Sequence, residues 1–114
     1  GLVWNRVFPE TGGADLGAWR RTLTGLKRLR PRTVYPGHGE PGSARLLDEM
    51  SELLGAVEES VRPLAAKSAL SARDLASLRR TLARTRRDWV LPEVLDETFR
   101  GEHARLRRLL AGGD

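Results

Sequence analysis

The sequence predicts an α/β chain: a small parallel βαβ unit followed by a helical C-terminal extension. Three observations predict it. Residues 2–8 (Leu-Val-Trp-Asn-Arg-Val-Phe) and the shorter run 33–35 (Thr-Val-Tyr) carry the β-branched and aromatic residues of strands. A single amphipathic helical stripe lies between them, and strand, crossover helix and strand in that order make a right-handed parallel pair. Beyond residue 43 only helical periodicity remains. The chain therefore divides into residues 1–42 and residues 43–114.

Each element has its own signal. Pro9 closes the first strand, Thr11-Gly12-Gly13 is turn chemistry, and Asp15 is placed to cap a helix. Leu16, Trp19, Leu23, Leu26 and Leu29 then recur at spacings of three and four, which aligns them on one face. Arg20, Arg21, Lys27, Arg28 and Arg30 lie off that stripe, and Pro31 ends the helix. The second strand runs into the loop 36–42 (Pro-Gly-His-Gly-Glu-Pro-Gly), and Trp4 of the first strand and Tyr35 of the second are expected as buried strand residues. Two parallel strands are not stable alone, so this half reads as the end of a larger sheet.

Ser43 is placed to cap a long helix whose apolar face is Leu46, Leu47, Met50, Leu53, Leu54, Val57, Val61 and Leu64, kinked or ended by Pro63. Ser71 and Asp74 form a capping box for a helix burying Leu75, Leu78 and Leu82. Pro92 opens a short helix to about Phe99. Gly101 is expected to break it before a last helix carrying Leu106, Leu109 and Leu110.

Composition limits the chemistry. The chain has 114 residues, 39% hydrophobic and 31% charged, a globular balance for one small domain. Zero cysteines exclude disulfides, thiolate metal sites and cysteine nucleophiles, and two histidines exclude a self-contained multi-histidine centre. No apolar run is long enough to span a membrane. The net charge of +5 comes from 20 basic and 15 acidic residues. That modest excess reads first as a solvated arginine-rich surface.

The sharpest chemical feature is His38, held between Gly37 and Gly39 after the rigid Pro36, at the end of the second predicted strand. Glycines let the backbone turn sharply and admit a ligand closely, and imidazole is the commonest metal ligand. One histidine is one ligand, however, and a catalytic zinc site needs three. On pattern alone, His38 is a metal ligand or an ordinary loop histidine. His103 shares a helical face with Phe99, Leu106 and Leu110 and reads as a packed residue. Asp15 reads as a cap, and Asp48, Glu49, Glu58 and Glu59 as the solvated side of the long helix. Arg79, Arg80, Arg84, Arg86 and Arg87 form a basic cluster, diluted by Asp74, Asp88, Glu93, Asp96 and Glu97.

The order strand, Trp19-bearing helix with Leu23 and Leu26, strand, then Tyr35-Pro36-Gly37-His38-Gly39 resembles the closing part of the metallo-β-lactamase-fold hydrolases. The resemblance covers residues 2–42, and more loosely the helices beyond. It implies the end of an αββα sandwich, with His38 as a metal ligand and Pro36, Gly37 and Gly39 shaping its loop. It also implies a zinc, iron or manganese centre, dinuclear as in the family, whose bound hydroxide attacks a small ester, thioester, amide or phosphoester. The family's His-x-His-x-Asp-His cluster is absent, as is its next histidine ligand, and the bridging aspartate is expected at or just before residue 1, where Gly1 stands.

The resemblance thus implies the C-terminal part of a metal-dependent hydrolase. Alone it would hold no catalytic residue and bind no metal tightly. Its partner would be the N-terminal part of the same domain or a second copy, in a cytoplasmic protein without membrane association. The alternatives are a non-catalytic helical interaction or oligomerisation module and, with nucleic acid disfavoured as a partner, a basic nucleic-acid-binding domain.

Overall fold

The computed structural model describes residues 3–5, 9, 11, 14–89 and 95–112. Four α-helices make up most of them: α1 (Leu16–Arg28), α2 (Arg45–Val61), α3 (Ala72–Thr85) and α4 (Leu95–Leu110), with a 3₁₀ turn at Arg62–Leu64. Helix α2 is the hub. It packs against α1, α3 and α4, while α3 and α4 also touch each other. Its apolar stripe explains this, because Met50, Leu53, Leu54, Val57 and Val61 have no exposed surface. Each such side chain contributes roughly 1.5–3 kcal/mol of burial.

The caps match the local chemistry. Asp15 accepts the Ala18 amide at 3.0 Å, and the Ser71–Asp74 box closes with bonds of 2.9 and 3.0 Å. Ser43 accepts the Arg45 amide at 3.3 Å, although Ala44 holds the cap position of α2. Helix α2 ends at Val61, and Pro63 sits in the 3₁₀ turn that follows.

The predicted parallel βαβ unit of an αββα sandwich is overturned. The described residues form a mainly helical chain without a strand or sheet; only two isolated bridges occur, Trp4 with His38 (parallel) and Val34 with Gly42 (antiparallel). Of the first predicted strand, residues 2 and 6–8 lie outside the described residues. The second fails for a local reason. Val34 exchanges both backbone bonds with Gly42, at 2.7 and 3.0 Å, so the segment pairs with its own loop. A parallel pair also needs neighbours to complete a ladder, and none is present among the described residues.

Three smaller expectations change with it. Tyr35 is 80% exposed and Leu29 is 76% exposed, so neither is a core residue. Helix α1 stops at Arg28, before Pro31, and Arg30 takes a left-handed φ of 52°. Gly101 does not break α4, which runs unbroken through it. An interior glycine costs a helix about 1 kcal/mol, and the buried face of Leu95, Phe99 and Leu106 on either side outweighs that. The helix expected to open at Pro92 lies in part outside the described residues.

Candidate functional site

The His38 loop is fastened to the N-terminal segment by Asn5. The Asn5 amide donates to the His38 carbonyl at 2.9 Å, and its side-chain Nδ2 donates to the Glu40 carbonyl at 2.8 Å. On the other side of His38, the Gly37 amide donates to the Val3 carbonyl at 3.0 Å. Between the two Asn5 anchors sits Gly39, with φ +89°. A Cβ there would lie 2.4 Å from the Asn5 carbonyl oxygen, so conformation and space both require glycine.

The His38 side chain is exposed and stacks on Trp4, with ring centroids 3.9 Å apart and planes 26° from parallel. The loop therefore aims the imidazole in one direction while leaving its edge open. Asn5 Oδ1 is buried beside it with no hydrogen-bond partner. Pro36 and Gly37 do something different: with Leu26, Leu29, Val34 and Tyr35 they line an apolar groove of about 480 Å³ that His38 does not line.

A metal does not fit the described residues alone. No three His, Cys, Asp or Glu side chains among them come together as a metal-holding group. His38 and His103 are not brought into one site. The imidazole of His103 is buried, with Nε2 2.9 Å from the Leu64 carbonyl, so it ties α4 to the 3₁₀ turn as a packing residue.

Sequence reasoning placed Glu58 on a solvated face, and the structure corrects this. The Glu58 side chain is 15% exposed and meets Arg62 at 2.8 Å, Arg20 at 3.3 Å and Arg105 at 3.4 Å. Arg105 also grips the fully buried Glu102 carboxylate with two bonds of 2.7 Å. Glu102 foremost, then Asp15 and Glu58, hold the Arg105 pKa above its ordinary value, against the opposing effect of burial. The Ala18 amide, with Arg105 and Arg21 nearby, lowers that of Asp15. A signal was present in the sequence: Glu58 falls between Leu54 and Val61, and Glu102 between Phe99 and Leu106, both on apolar stripes. A carboxylate at such a position must be paired to be buried.

These carboxylates are engaged by guanidinium groups that join α1, α2 and α4, which makes the cluster a structural tie. The described residues therefore present one candidate ligand loop and one ionic core cluster. No described helix is long and apolar enough to cross a membrane. Comparison with protein-family models, curated proteins and solved structures finds no match to this chain.

Proposed function

We propose that this chain is the histidine-bearing C-terminal part of a cytoplasmic metal-dependent hydrolase of the metallo-β-lactamase kind, acting on a small ester, thioester or amide. The observation that carries the reading is the His38 loop. Its imidazole is exposed, fixed in direction by the Trp4 stack, and mounted on a turn that requires Gly39. The reading rests on this loop and its motif, because the two strands expected beside them are not formed among the described residues. His38 supplies one ligand, and the others come from another segment of protein. Nothing in the ligand set singles out zinc over iron or manganese.

The open groove beside Tyr35 and Leu29 gives that other segment an apolar seat. A helical interaction module would use the same groove without any metal, so the two readings part on His38 alone. The test takes the polypeptide extended by the coding sequence upstream of Gly1. That sequence is expected to contain His-x-His-x-Asp-His, and the extended protein to bind zinc and hydrolyse a model ester. His38→Ala is expected to remove at least one zinc equivalent and most of the hydrolysis while retaining helix content. An upstream sequence without the cluster, or a His38→Ala protein with full metal and activity, would overturn the reading.

A further inference from the structure

Helix α3 has two unlike faces. Leu75, Leu78 and Leu82 are buried against the core. Arg73, Arg80 and Arg84 are all exposed, and at 3.6 residues per turn they fall within about 40° of one another on the opposite side. They span about 16 Å along the axis at 1.5 Å per residue. Ser77 is the residue between them on that face, so no bulky apolar side chain interrupts it.

Two of the acidic residues near this helix in sequence, Asp74 and Asp96, are engaged away from the stripe. Asp74 is engaged by the Ser71 amide and by Lys67 at 2.8 Å. Asp96 pairs with Arg79, which lies on another side of α3. Arg20, Arg62 and Arg105 are balanced by Glu58 and Glu102 in the core. Among the described residues, no carboxylate pairs with Arg73, Arg80 or Arg84. Three arginines without a carboxylate partner among the described residues thus share one exposed helix face.

We propose that this outer face of α3 docks on the phosphate backbone of duplex DNA. The chemistry is that of guanidinium groups with phosphate, which they bind in bidentate fashion. A protein partner meeting this face would find no apolar anchor to bury. Single strands are poorly served, because no aromatic side chain is interleaved for bases to stack on. The B-form major groove admits a helix, and the deep narrow groove of duplex RNA does not. Phosphate contacts carry no sequence information, so binding is independent of sequence.

The test is fluorescence anisotropy with a labelled mixed-sequence DNA duplex of about 20 base pairs, titrated across salt. Three phosphate contacts predict a slope of about −2.7 in log affinity against log salt, or roughly 40-fold weaker binding between 50 and 200 mM. Arg73→Glu, Arg80→Glu and Arg84→Glu together are expected to weaken binding more than about tenfold. Reversing Arg28, Arg32 and Arg108, which are exposed elsewhere, should change it less than about twofold. The slope of the unmodified chain reads the contacts independently of how the variants fold. Absence of duplex binding at low salt, equal loss in both triple variants, or equally tight binding of duplex RNA or polyglutamate would overturn the proposal.

Discussion

The helical core and the histidine loop are built on opposite principles. In the core, α2 is covered by three other helices, and many contacts of similar kind hold each residue in place. In the loop, placement depends on a handful of named groups: two Asn5 bonds, the Gly37–Val3 bond, one ring stack and a glycine with positive φ. Redundant apolar packing tolerates loss in proportion to volume. A singly determined turn fails when one atom is added.

Phe99→Ala tests the core side of that comparison with the largest expected effect. Phe99 has no exposed surface, so truncation should cost about 3–5 kcal/mol, read as a lower denaturant midpoint. Breaking the ionic cluster comes next. Glu102→Gln leaves Arg105 with only the more distant Glu58 and Asp15 and should cost about 2–3 kcal/mol, whereas replacing Glu102 and Arg105 together by leucine should cost much less. A double replacement as damaging as the single one would show that the cluster does more than hold the helices.

Gly39→Ala should act mainly where it stands. A local strain of about 1–3 kcal/mol is expected from the φ and the Asn5 contact, with loss of the Trp4–His38 ring-current signature in proton NMR and little change in the helix signal. A large fall in global stability would mean that the loop belongs to the core's cooperative unit. The smallest effect belongs to Asp74. Its hydrogen bond with Lys67, followed by that with the Ser71 amide, lowers its pKa from 3.8 to about 2. Because the folded value is the lower one, its contribution is complete above pH 3.8 and is lost as pH falls toward 2. Asp74→Asn should flatten that part of the acid-stability profile, and an unchanged profile would count against the capping account.

The same contrast explains what was legible in the sequence. Leu46 through Val61 could be read because helical periodicity is local and the burial of α2 follows from it. Asp15 and the Ser71–Asp74 box were readable for the same reason, since capping involves neighbours in the chain. Val34 and Tyr35 were misread because a strand is defined by its partner, and Val34 pairs with Gly42 in its own loop. Gly101 was misread because a single-residue propensity was set against a buried face of α4 that only the packing reveals. In the loop, the motif singled out His38 as a candidate, while Asn5 as the residue that fastens the loop carried no signal, because its partners lie 33 and 35 residues away.

Native-state hydrogen exchange compares the helical core and the histidine loop in one sample. The amides of Asn5 and Gly37, each held by one bond across the loop, should exchange at least about a hundredfold faster than those of Leu53, Leu54 and Val57, which open only on global unfolding. Equal protection in both sets would contradict that contrast, and would place the histidine loop inside the core's own folding unit.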